Sequence, residues 1–375
     1  MGKFTAGVHV LLLVVVGHLL QQVIGEQPCS ATGKNGIDTC VCNIMDACDE
    51  LGNTRANWSD SLPENVEQFG LVEGRVRNLA YLCELGAVAM LYDCNSRIPL
   101  YAATKITGDQ LSADSIGRPP NKFRKVEQRN QLDNYFQQKD ADYKNSNNRE
   151  LCFKTNTNDF YIDDEWLHLS GNSNAPRISN PRKVCPRGSA WLKTIMNKGH
   201  LIASQDGRAV RARMVATFTY TNAVPQFGSF NMGSWKTSEM NLIRWGQDYC
   251  TVQGAQHVQM FIIVGAIPST NFGQQKTRYF GKEGFSDYKH TANYPVNVPR
   301  YMWTAACCKY DLNGVWKYNS TAFYRQNHPG KEPCNPLDVA SLSTLLRNWA
   351  QQGNTIKLFP HTPQCEDTNS YVPLP

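Results

Sequence analysis

An α+β fold organised around a central antiparallel sheet, with disulfide bonds, is what this chain predicts, on three observations. Strand-like and helix-like segments mix along it without the strict alternation that a doubly wound sheet needs. One run, VQMFIIVGAIPS at 258–269, is continuously apolar and is ended by Pro268, the pattern of a buried central strand. Thirteen cysteines in 375 residues add covalent cross-linking. A hydrophobic fraction of 41% against 19% charged residues permits a sizeable core and excludes a long disordered or coiled-coil chain.

From the N-terminus, Lys3, the apolar stretch VHVLLLVVVGHLL (8–20) and the residues Val23 and Gly25 read as a secretory signal peptide over 1–25. The stretch is shorter than the roughly 20 residues that cross a bilayer, and no later segment is long enough, so we expect no membrane span after cleavage. All thirteen cysteines follow the cut, which places them in an oxidising compartment and predicts a secreted, extracellular protein. The sequons Asn57-Trp58-Ser59 and Asn319-Ser320-Thr321 agree, and mark Asn57 and Asn319 for glycosylation. Residues 26–64 are a Cys-rich extension short of apolar periodicity. Cys40, Cys42 and Cys48 within it lack the second pair or the histidines of a zinc set, so disulfides are the better reading. An odd total leaves one thiol free or bridging two copies as a disulfide-linked dimer. Cys307 and Cys308 are adjacent, and each should pair elsewhere, since a ring between neighbours is strained.

Residues 65–365 read as one large domain. LAYLCELGAVAMLYDCNSRIPLYAATKI (79–106) suggests an antiparallel strand pair around Asp93-Cys94-Asn95-Ser96. Residues 107–150 are polar, with surface loops and a helix. The stretch at about 150–190, rich in Asn, Ser, Pro and Gly, is an insertion. A helix near 237–250 precedes the apolar run, YMWTAACC (301–308) is a further strand, and Asn335-Pro336 should cap and start a last helix ending near Gln351.

The net charge of +6 fits a polyanionic partner without establishing one. Its placement says more. Between Arg177 and Arg213 there are nine cations, among them Lys198, Arg211 and Arg213, and one acid, Asp206. A solvated basic face is the simpler alternative. The cations surround His200, however, and precede a run of neutral oxygen donors, which makes phosphate the natural guest.

The run is Asn197-Lys198-Gly199-His200, then Thr217-Phe218 with Asn222 and Pro225-Gln226, then Asn231 with Trp235, then Glu239. In this order and spacing the chain resembles the DNA/RNA non-specific endonucleases of the ββα-metal type, closest to their secreted endonuclease domain-containing branch. Those read roughly D-R-G-H, T-F-x-x-x-N-x-x-P-Q and N-x-x-x-W, with a Glu eight residues after the metal-binding Asn. The resemblance implies a ββα-metal element in which His200 ends a strand pair and the helix after Trp235 carries Glu239. It implies DNA and RNA as substrates and Mg²⁺ or Mn²⁺ as cofactor.

The chemistry fits these residue types. A neutral histidine can take a proton from the attacking water, and His200 is the candidate. A hard cation keeps several waters and needs few protein oxygens, so the Asn231 amide can hold it while Glu239 orients the waters. Lys198, Arg211 and Arg213 are candidates for phosphate, and Asn197, Asn222 and Gln226 for structural support. The chain departs from the family at Asn197-Lys198, where Asp-Arg is usual, and at Ile243, where a phosphate-binding Arg stands four residues after the Glu. Those departures support a second expectation, a nuclease-fold protein impaired in turnover that serves as a secreted polyanion-binding or extracellular-matrix component.

Overall fold

A computed structural model describes residues 62–118, 196–269, 279–280, 296–350 and 354–375, apart from 74–75, 78, 85–86, 94–95, 97, 208 and 329–331. The signal-like segment, nearly all of the Cys-rich extension, the insertion and Asn57 lie outside the described residues.

The apolar run at 258–269 falls at the middle of a seven-stranded sheet. In chain order the strands are β1 (Leu79–Glu84), β2 (Val88–Asp93), β3 (Ile98–Thr107), β6 (Ala255–Pro268), β7 (Pro299–Leu312), β8 (Val315–Gln326) and β9 (Asn335–Leu337). Spatially they run β9-β8-β7-β6-β3-β2-β1, every neighbouring pair antiparallel. Between the adjacent strands β3 and β6 the chain leaves the sheet to build a separate unit. That unit holds α1 (Gly108–Ser112), a two-stranded hairpin of β4 (Met196–His200) and β5 (Ala223–Phe227), α2 (Arg211–Thr217) and α3 (Lys236–Cys250). Helix α4 (Val339–Ala350) follows β9. The α+β class with a central antiparallel sheet is the architecture found.

Two expectations need correction. The segment 79–106 makes three strands rather than two, because the chain already reverses between Glu84 and Ala87. There Ala87 donates its N–H to the Glu84 carbonyl at 3.0 Å, closing a tight turn before the polar one. An apolar run without polar punctuation concealed that turn. Asn335-Pro336 does not start a helix; both residues pair with β8 as an edge strand, where a proline is tolerated. The cap is Asp338, whose carboxylate accepts from the Ser341 N–H at 2.8 Å and from its hydroxyl at 2.6 Å.

Each face of the sheet carries its own core. Ile262, Val264 and Ala266 of β6, with Ala102 and Ile106 of β3, pack against Leu242, Ile243 and Trp245 of α3. Phe261, Ile263 and Ile267 face the other way, against Val339, Leu342 and Leu346 of α4 and the C-terminal residues Ile356, Leu358 and Phe359. The alternation is the period of two that a pleated strand imposes. It also disposes of the adjacent cysteines. Cys308 bonds to Cys250 at the end of α3, and Cys307 to Cys365 in the opposite layer, with Cα–Cα separations of 5.5 and 5.6 Å. Each neighbour does pair elsewhere. Among the cysteines whose side chains are described Cys334 alone is free, and it is only 8% exposed.

Close approach matters at two glycines. Gly246 lets α3 settle on β6, since a Cβ there would stand 2.6 Å from the Met260 sulfur. Gly265 lies under the indole of Trp303, its register partner on β7, and a Cβ would overlap that ring. Gly265→Ala is expected to lower stability by about 1–3 kcal/mol through overpacking. Urea unfolding checks this, and an unchanged midpoint would contradict the β6–β7 packing.

Candidate active site

His200 is the last residue of β4, and two buried amides hold its surroundings. Gln226, from β5, lies across Gly199, whose missing Cβ leaves the room, and donates its Nε2 to the His200 carbonyl at 3.3 Å. Asn222, fully buried, donates to the carbonyls of Ile202 and Thr217, both at 2.9 Å, and accepts from the Ile202 N–H at 3.0 Å. One side chain thus ties the chain leaving His200 to the end of α2. The imidazole sits edge-on to Phe218, centroids 4.6 Å apart. Burial, helped by the positive charge of Arg118, pushes its pKa down to about 3, so the ring is neutral at ordinary pH.

After β5 the chain passes through a helical stretch, Asn231–Trp235, that is kinked at Gly233 (φ −102°, ψ −120°) before it continues into α3. Asn231 opens it, half-buried, and its side chain makes no hydrogen bond among the described residues. Trp235 closes it, fully buried between Phe230 and Phe323. Glu239 lies in the first turn of α3, where the helix dipole favours a negative group. Its carboxyl is nevertheless held well above the usual range, first by burial and then by the charge of Asp206, while Trp235, Arg118 and Lys236 oppose the rise. The Trp235 indole N–H faces Glu239 without closing a hydrogen bond of ordinary geometry.

The cations divide. Arg213 is directed inward, donating to Thr104 Oγ1 at 2.7 Å and to the Lys105 carbonyl, with Asp206 nearby. Arg211 donates to the Gly117 carbonyl at 3.1 Å. The Lys198 ammonium stands 5.4 Å from the centre of the Tyr220 ring. Asn197 pairs through its backbone with Gln226, and its side chain lies outside the described atoms. Ile243 is a core residue at 2% exposure, while its neighbour Arg244 is exposed. Asn319 commits the amide nitrogen that a glycan would use to the carbonyl of Tyr249 at 2.8 Å.

Two residues of this cluster were not singled out from the sequence as site residues. Arg118 follows α1, with its side chain exposed, and its charge acts on both His200 and Glu239. Nothing in the polar segment around it distinguishes this arginine. Asp206, 5% exposed, has its carboxyl raised to about 7 by burial, against the pull of the Ala203 N–H and Arg213. Its signal was being the one acid among nine cations. A cavity of about 570 Å³ lined by Met232, Thr237, Asn241 and Cys334 lies behind α3, since Thr237 and Asn241 sit about 160° round the helix from Glu239. The Cys334 thiol there is pushed up to about 11, chiefly by burial.

With this geometry in hand, residues 78–359 match the family model described as DNA/RNA non-specific endonuclease, and the chain belongs to that family. A solved structure described as "Crystal structure of the EndoG/EndoGI complex: Mechanism of EndoG inhibition" is similar over 79% of this chain and 90% of that chain, at 13% identity and a TM-score of 0.41. No individually curated protein sequence matches. The family typically depends on a divalent metal.

The residues present fit a hard, hydrated cation. The described residues hold no cluster of three or more His, Cys, Asp or Glu, so a zinc-type cage is not their pattern. They hold instead an amide oxygen on Asn231 that makes no hydrogen bond among them, and a Glu239 carboxyl on which the charge of Asp206 acts.

Because His200 is held neutral, the folded protein loses stability as pH falls from 6.5 towards 3, where the unfolded chain takes up a proton and the folded one does not. Histidine NMR should show the His200 ring unprotonated from neutral pH down to about 5, whereas ordinary histidines titrate near 6.5. A midpoint near 6.5 for His200 would remove the burial argument.

Proposed function

We propose that the protein is a secreted, metal-dependent endonuclease that hydrolyses phosphodiester bonds of DNA and RNA with little base preference. One observation carries this reading: within a chain of this family, a neutral histidine and a half-buried glutamate, from different elements, share the field of one arginine. In this mechanism His200 takes the proton of a water, whose oxygen attacks phosphorus while the bond to the leaving oxygen breaks. Arg118 and Lys198 offset the charge that builds on the phosphate. Asn231 would hold a Mg²⁺ or Mn²⁺ ion, and Glu239 would accept hydrogen bonds from its waters; the ion, when bound, supplies Lewis-acid stabilisation at the phosphate. Contacts of this kind go to phosphate and carry no base information. Arg211 and Arg213 act here by fixing the Gly117 segment and β3. The disulfides support an oxidising destination, in keeping with the signal-like residues 1–25.

The loss of an acid at Asn197 favours the second reading, a polyanion-binding protein impaired in turnover. Protein collected from the medium of expressing cells and incubated with plasmid or RNA separates the two. The nuclease reading expects cleavage in Mg²⁺ that stops in EDTA. His200→Ala should lower it by about 10²–10⁴-fold, and Glu239→Gln by about 10–100-fold. Intact nucleic acid with salt-sensitive binding would establish the alternative, and equal cutting by His200→Ala would remove the general-base role. Asn197→Asp, which restores the usual carboxylate, should raise the rate in the same assay; an unchanged rate would show that this departure does not limit turnover.

A further inference from the structure

We propose that Trp316, with Lys309 and His257, forms a second contact for nucleic acid, a stacking platform that holds a single-stranded segment away from the candidate active site. The proposal rests on the reading that nucleic acid is the polymer this protein takes, and it concerns binding, not hydrolysis. Three strands build the platform. β7 and β8 are joined by the two-residue turn Asn313-Gly314, with φ of 56° and 79°, the conformation that matches the twist of a tight hairpin. Trp316 follows directly, opposite Asp311, and shares a face with Tyr318 and Ala322, the face turned away from α3. Its indole is 45% exposed, and the Lys309 ammonium stands 4.6 Å from the ring centre. From β6 the exposed His257 ring approaches to 6.4 Å between centroids. His257 has a φ of 53° and lies where the β6–β7 register slips, a bulge of the kind that re-aims a side chain.

An exposed indole beside an ammonium and an imidazole matches the two parts of a nucleotide. A base stacks on the ring, whatever its identity, and the adjoining phosphate meets Lys309 and His257. The acid of the same hairpin does not cancel that charge, because Asp311 Oδ1 is engaged by the Gly314 N–H at 2.7 Å. Charge complementarity therefore favours a polyanion over a second copy of this chain, since a symmetric contact would set Lys309 near its own counterpart. The platform stands apart from the candidate site. The Cys250–Cys308 disulfide ties the last residue of α3 to the residue before Lys309, so the patch lies at the end of the helix opposite Glu239, about 17 Å along its axis. Stacking of this kind tolerates every base, in keeping with a polymer taken without base preference.

The test uses the whole protein carrying His200→Ala, in EDTA, so that nothing is cut. It reads the fluorescence anisotropy of a labelled single-stranded DNA of about 30 nucleotides, longer than the roughly 4–16 that one single-strand-binding fold covers. Adding Trp316→Ala is expected to weaken binding about 5- to 100-fold, and Trp316→Phe, which keeps a ring, to recover most of that loss. Lys309→Gln should reduce the slope of log affinity against log salt by about 0.7, the share of one phosphate contact on a single strand. Unchanged affinity in Trp316→Ala overturns the proposal. So does an equal Trp316→Ala loss with heparin, which has charge but no bases, and so does a dimer that Trp316→Ala dissolves, which would assign the face to a second copy. If Trp316→Ala does not fold, the Lys309→Gln slope decides, and an unchanged slope overturns the proposal. Binding in EDTA requires no turnover, so a failure here is separate from a failure of the cleavage assay.

Discussion

The seating of α3 on the central sheet is the constraint on which the rest of the molecule depends. Leu242, Ile243 and Trp245 bury one stripe of the helix against β6 and its neighbours, each such apolar side chain contributing about 1.5–3 kcal/mol. Gly246 allows the close approach at Met260, and the Cys250–Cys308 disulfide fastens the far end. With that end fixed, the first turn of α3 has one place to go. The kinked stretch carrying Asn231 and Trp235 joins β5 to that turn, which holds Glu239, while Asn222 and Gln226 hold His200 and the chain beyond it. Rigidity at this level is what a hydrolytic site needs, because a misplaced base or metal ligand costs rate steeply.

The electrostatics of the site follow from the same packing. Burial suppresses the charged form of His200 and of both carboxyls, so the histidine is held neutral and the acids release protons when a cation arrives. The cations are sorted by position rather than by number. Arg213 turns inward to a strand, Arg211 anchors the segment before Arg118, and Arg118 faces the histidine and glutamate. A count of nine basic residues in the sequence could not distinguish these duties, because a guanidinium does the same chemistry wherever the fold directs it.

Local patterns that carry their own physics were legible from the residues. The apolar run at 258–269, ended by Pro268, read as a buried strand, and the stretch near 237–250 before it read as a helix. His200, Asn231 and Glu239 were legible as a spaced set because the hairpin, the kinked stretch and the helix follow one another closely in the chain. The turn between Glu84 and Ala87 was hidden inside a largely apolar run, and Asn335-Pro336 looked like a helix start because the competing offer, an edge position on β8, comes from residues remote in sequence.

The sequence by itself determined the α+β class, the central strand, the ββα order of the site residues and the need for Cys307 and Cys308 to part. Tertiary structure alone decided where they went, to opposite layers through the pleat of β7. It also decided that Arg213 serves a strand, while the charge of Arg118 acts on His200 and Glu239. Those outcomes depend on distances through space between separate segments, and a carboxylate or guanidinium has no field that can be assigned until its neighbours are in place.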